Sequence, residues 1–203
     1  MLTYSGIVPA VPTGQRLAPE PSRRAAPLPP SERRRSIITA ALPLLVERGA
    51  NVTSRELAAA AGVSEGTLFK VFGDKDELIR AAVAVAIDPE PFEAAVSAID
   101  REQPFAGRLV AATTLIQRRI VDIWQLISKL DAHRHHEPKH QPLPDSAALT
   151  ALMASGGDAV DEPPADAARL LRALTLAMTH PLFTPTPRSA DDIVHVFLHG
   201  VGA

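Results

Sequence analysis

TSRELAAAAGVSEGTLFKVF, Thr53 to Phe72, is the stretch whose reading decides the fold. Thr53 is a good N-cap, and Glu56 stands three places on, the spacing of a capping box. Ala58 is small where a second helix has to cross closely. Gly62 suits the left-handed backbone that ends a helix. Val63 and Leu68 point back into the corner, and Ser64 can N-cap a second helix. Two short helices around one sharp turn form a helix-turn-helix, whose second helix lies in the major groove of DNA.

Working outward, Ser31 is expected to N-cap a first helix that runs to Arg48 and stops at Gly49. Ile37, Ile38, Ala41, Leu42, Leu45 and Val46 recur on its buried face. Pro43 lies inside that run and predicts a kink near residues 39–43. On the other side, Asp74 and Glu77 repeat the capping-box spacing and start a fourth helix through Ala86. Pro89 and Pro91 break it, and Pro91 fits the first turn of a short helix to about Asp100.

Pro104 opens a long amphipathic segment to about Ala132, with Leu109, Ala112, Leu115, Ile116, Ile120, Ile123, Trp124, Ile127 and Leu130 in one stripe. A loop at 133–145 follows, then a short helix over 147–154. Pro163 or Pro164 starts a helix through about Thr179, and Ser189 N-caps a last one that buries Ile193, Val194, Phe197 and Leu198. No internal repeat and no strand pattern of any length is present.

Composition agrees with an all-α fold. Of the 203 residues 46% are hydrophobic but only 4% aromatic, and Ala and Leu, strong helix formers, dominate. The net charge of −2 hides an asymmetry: residues 1–80 hold 11 basic and 8 acidic side chains, residues 81–203 hold 10 and 15. A basic front suits contact with phosphate, although ordinary scatter produces an excess of this size. There is no cysteine, which excludes disulfides, thiolate metal sites and cysteine nucleophiles. No run of about 18 apolar residues is long enough to span a membrane. The N-terminus lacks the order of a signal peptide. A cytoplasmic protein without a membrane partner is the resulting expectation.

Residues 1–30 carry seven of the 19 prolines and no hydrophobic period, and read as a disordered Pro-rich basic arm. Arg16, Arg23 and Arg24 lie in it, and Arg33, Arg34 and Arg35 follow. Such an arm can track phosphates or simply be solvated. His133, His135, His136 and His140 fall close together beside Glu137. Imidazoles suit Zn, Ni or Cu, but the spacing is irregular and structural sites draw ligands from two elements. A solvated His-rich loop and a metal sensor both stay open, and no metal or cofactor is assigned. No Gly-rich phosphate loop, GxSxG or HExxH supports an enzyme. An adaptor that uses the helix-turn-helix for protein contact is a further alternative.

Between Arg33 and about Ile79 the chain resembles the TetR-type transcriptional regulators. The resemblance rests on an apolar first helix ending in ERGA (47–50), on VTSRELAAAAGVSEGTLFKVF (52–72) and on DKDEL (74–78). It implies an all-α protein of about nine helices. A three-helix helix-turn-helix DNA-binding head, residues 31–79, would precede a larger helical effector-binding and dimerisation body, residues 80–203. It also implies a homodimer on a palindromic operator in double-stranded DNA, and a repressor released by a small molecule.

Carried onto this sequence, the DNA-facing set is Thr53, Ser54, Ser64, Glu65, Gly66, Thr67, Phe69, Lys70 and Lys75. Thr53, Ser54 and Lys75 would meet phosphates at helix N-termini. Thr67, Phe69 and Lys70 would reach phosphate, sugar, thymine methyl or guanine. Three positions depart from the family pattern: Phe69 where tyrosine is usual, Glu65 where a basic residue is frequent, and Val71 where histidine is common. Glu65 repels phosphate but can accept from cytosine N4. The long amphipathic segment would line a ligand pocket, with Leu115, Arg119, Trp124, Gln125, Ser128 and Met153 as candidates. The last two helices would dimerise through Leu170, Leu174, Met178 and Phe197, beside Leu171, Leu176 and His199.

Overall fold

The computed structural model describes residues 29–130 and 144–200. The arm expected at 1–30 and the histidines at 133–140 therefore lie outside the described residues, apart from the last two positions of the arm. Among those described there are nine α-helices and no strand: α1 (Pro30–Arg48), α2 (Ser54–Ala60), α3 (Glu65–Phe72), α4 (Lys75–Ala86), α5 (Glu90–Ser97), α6 (Phe105–Leu130), α7 (Ala147–Ala154), α8 (Pro164–Thr179) and α9 (Ala190–His199). No helix among them is long and apolar enough to cross a membrane.

Local chemistry sets most boundaries. Thr53 and Glu56 form the complete capping box at the start of α2, Ser64 accepts from the Thr67 amide at α3, and Ser189 accepts from the Asp192 amide at α9. Two expectations need correction. Ser31 does not cap α1: the cap position is Pro29, with no side-chain hydrogen bond, and Pro30 occupies the first turn, where a missing N–H costs nothing. Asp74 does accept from the Glu77 amide, but Glu77 turns its carboxylate to Arg34 instead of closing a second box. The helix α1 is continuous through Pro43.

Two buried clusters organise these helices. The first gathers Ile37, Ile38, Ala41 and Leu45 of α1 with Leu57, Ala58, Leu68, Phe72, Leu78 and Ala82 of α2–α4. The second gathers Val96 of α5, Leu109, Ala112 and Ile116 of α6, Leu149, Leu152 and Met153 of α7, Ala167, Ala168 and Leu171 of α8, and Val194 of α9. Helix α6 belongs to both. Its first half lies in the second cluster, while Leu126, only 1% exposed, is buried in the first, with Leu130 packed beside it. At 26 residues α6 is about 39 Å long, enough to reach from one cluster to the other.

Candidate nucleic-acid interface

Helix α3 is eight residues long, too short to be stable alone in water. Its inner face holds it in place. Leu68 and Phe72 are fully buried, and each contributes roughly 1.5–3 kcal/mol through burial. The turn before it is closed by Gly62, at φ +64°, and by the Val63 amide bonded to the Ala58 carbonyl at 3.0 Å. Behind α3 the Arg34 guanidinium of α1 lies 4.4 Å from the Phe72 ring centroid. It donates to the Val71 carbonyl at 3.1 Å and to the Glu77 carboxylate at 3.3 Å. Arg34 thus ties α1, the end of α3 and α4 together. Sequence reading missed it, because its partners stand 37 and 43 residues away.

The opposite face of α3 presents Glu65, Gly66, Phe69 and Lys70 to solvent, with Thr67 half-buried at its edge. Phe69 is 41% exposed, unusual for so large an apolar side chain. Gly66 has no internal reason to be glycine: an added Cβ would meet nothing nearer than the Ser64 hydroxyl at 3.9 Å. The Thr67 and Ser64 hydroxyls are paired at 2.9 Å. Val71 is half-buried against the first cluster.

At the start of α2, the Thr53 amide and hydroxyl both donate to the Glu56 carboxylate, at 2.9 and 2.7 Å, and Arg48 donates to its other oxygen at 2.5 Å. These bonds pull the Glu56 carboxyl down to about 2; the Thr53 amide is the largest cause, then its hydroxyl, then Arg48. Ser54 is half-buried in the first turn. Lys75, placed on a phosphate by the sequence, instead directs its ammonium inward, to the carbonyls of Ala50 at 2.8 Å and Val52 at 3.2 Å. It braces the turn that leads into α2.

The residues proposed for a ligand pocket occupy unlike surroundings. Met153 is core, Leu115 is half-buried against the second cluster, and Gln125 and Ser128 are exposed on α6. Trp124 meets His180 edge-on, centroids 4.3 Å apart. Arg119 donates to the carbonyls of Ile87 at 2.6 Å and Asp88 at 2.9 Å, fastening the end of α4 to α6. Burial, and then the neighbouring charge of Arg172, lower its pKa from the ordinary value. Of the residues proposed for a dimer contact, Leu170 is 52% exposed, and Leu174 and Met178 follow it at four-residue spacing, half-buried. Phe197 packs on the second cluster and Leu171 is buried within it.

Residues 37–82, from α1 into α4, match the family model described as bacterial regulatory proteins, tetR family. No curated protein matches the sequence. Among solved structures, a TetR-family regulator from Mesorhizobium loti aligns over 85% of this chain and 98% of its own, with a TM-score of 0.62 at 20% identity. A TetR/AcrR-family regulator from Thermobifida fusca aligns over 85% and 100%, with a TM-score of 0.57 at 22% identity. The TetR-like regulator LfrR from Mycobacterium smegmatis, in complex with proflavine, aligns over 85% and 98%, with a TM-score of 0.53 at 20% identity. At these identities the alignments speak for a shared fold, and the match over 37–82 speaks for the head. The chain thus carries, over residues 37–82, a segment that matches the tetR-family model, on a fold shared with these solved regulators.

Proposed function

We propose that the protein is a repressor that binds a palindromic operator as a homodimer and leaves it when a small molecule occupies the body. Residues 31–79 serve as the DNA-binding head and residues 80–203 as the sensing and dimerising body. The observation that carries the reading is the double membership of α6: one helix is packed into both buried clusters, so a shift at its first half moves Leu126 within the head. An effector acts by preferring the arrangement in which the two heads no longer fit their half-sites.

In the complex, Gly66 lets α3 approach the groove, Lys70 reaches a guanine or a phosphate, and Phe69 packs on sugar and a thymine methyl. Glu65 accepts from a cytosine, and Thr67 with Ser64 lines the edge of the helix. Thr53 and Ser54 sit at the N-terminus of α2, where backbone amides favour a phosphate. Lys75 is better assigned to bracing the turn. The two-fold contact is formed by Leu170, Leu174 and Met178 of α8, with α9 alongside. The complex of the similarly folded mycobacterial regulator with proflavine supports a body that takes a small molecule.

The test is selection from a pool of random duplex DNA at near-physiological salt. An enriched palindrome supports the dimeric operator reading. Enrichment of a single half-site without symmetry counts against the homodimer. No enrichment at all favours the adaptor.

A further inference from the structure

A cleft of about 210 Å³ opens where the end of α5, the start of α6 and one side of α7 converge. Val96, Ile99, Ala148, Ala151 and Leu152 supply apolar walls, while Ser97, Ser155, Arg101 and Arg108 supply the polar groups. The lining contains two guanidinium groups and no carboxylate. None of the six residues that the sequence put in a ligand pocket lines it.

Arg108 is held in a fixed pose. Its Nη1 donates to the Ser155 hydroxyl at 2.8 Å, and the guanidinium lies 5.6 Å from the Phe105 ring centroid. The Phe105 ring is itself wedged against Gly156, where an added Cβ would come within 2.4 Å of it. In this pose the Arg108 Nε is buried and has no hydrogen-bond partner. A buried N–H on a charged group without an acceptor is unfavourable, and native structures rarely retain one without a reason. Arg101, exposed on the rim, makes no ion pair among the described residues.

We infer that this cleft binds a short-chain aliphatic carboxylate, its oxygens on Arg108 and Arg101 and its tail against Val96, Ile99 and Leu152. A planar guanidinium matches a carboxylate in geometry and charge. The volume equals about seven waters at ~30 Å³ each, the scale of a ligand with roughly six to eight non-hydrogen atoms. An inorganic anion would leave the apolar walls unused. As an account of the effector this rests on the proposed release from DNA; as a binding site it stands on the cleft alone.

Isothermal titration of the full-length protein with hexanoate, hexanamide and acetate tests it. Hexanoate is expected to bind at least tenfold more tightly than either, since the amide lacks the charge and acetate lacks the tail. Arg108→Gln is expected to weaken hexanoate at least tenfold. Arg101→Gln, on the exposed rim where folding is unaffected, is expected to weaken it severalfold. No binding of hexanoate, equal binding of the amide, or wild-type affinity in the Arg101→Gln protein overturns the inference. A parallel operator titration separates the two readings: binding of hexanoate without loss of operator affinity supports the site and counts against release alone.

Discussion

Gly49 and Lys129 meet backbone to backbone. A Cβ placed on Gly49, at the end of α1, would lie 2.3 Å from the Lys129 carbonyl oxygen near the end of α6. The Lys129 ammonium returns across the same junction to the Glu47 carbonyl at 2.7 Å. The end of α1 and the end of α6 are therefore joined by close main-chain packing as well as by Leu126 and Leu130, and a displacement of α6 has little slack to absorb it.

Gly49→Ala is expected to destabilise the protein by roughly 1–3 kcal/mol from overpacking alone. Its backbone, at φ +61° and ψ −143°, adds strain for any other residue. Thermal denaturation reads the loss. A Tm within a degree of wild type would mean that α6 yields easily and that the Gly49–Lys129 junction is not rigid.

Gly66→Ala separates stability from recognition. Alanine is a better helix former by roughly 0.5–1 kcal/mol, and nothing inside the protein blocks a methyl there. The variant is expected to be as stable as wild type or more so, while binding its operator more weakly. Undiminished operator affinity would remove Gly66 from the interface.

Lys70 and Lys75 are expected to part company. Lys75→Ala removes two hydrogen bonds to Ala50 and Val52 and is expected to lower stability by about 1–3 kcal/mol. The salt dependence of DNA binding should not change. Lys70→Ala leaves stability alone, weakens operator binding and changes base preference. A shallower salt slope for Lys75→Ala would return it to the phosphate contacts, and a uniform loss for Lys70→Ala across unrelated sequences would make Lys70 a phosphate contact.

The capping box at α2 predicts an acid limb in the stability profile. Glu56 titrates at about 2 in the folded protein, below its ordinary value of 4.5. A depressed carboxyl stabilises the fold fully above the unfolded value and loses that contribution as pH falls through the folded one. The Glu56 contribution is therefore complete above about pH 4.5 and vanishes towards pH 2. Glu56→Gln should flatten this part of the profile, measured by denaturant unfolding between pH 2 and 6. A profile of unchanged steepness would show that other carboxylates set it.

Much of the architecture was legible because the signals are local. The cap at Thr53 with Glu56, the cap at Ser64 and the turn at Gly62 connect residues three to five places apart, so spacing alone reveals them. The same holds for α8, begun at a proline pair. Where a local signal had competition it misled. Ser31 fits a cap but stands after Pro30, which had already begun the helix, and Glu77 fits a capping box but found Arg34 closer to hand.

What the sequence by itself determined is the order of helices, the caps of α2, α3 and α9, the breaks between helices, and the face of α3 that remains outside, since periodicity and capping act within a few residues. Tertiary structure alone decided which distant groups share a neighbourhood. It turned Lys75 inward to Ala50, fastened Arg119 to the end of α4, pressed Gly49 against Lys129 and set Arg101 beside Arg108 around one cleft. Those pairings depend on how whole helices pack, and the burial energy that fixes packing is non-directional and leaves no spacing to read.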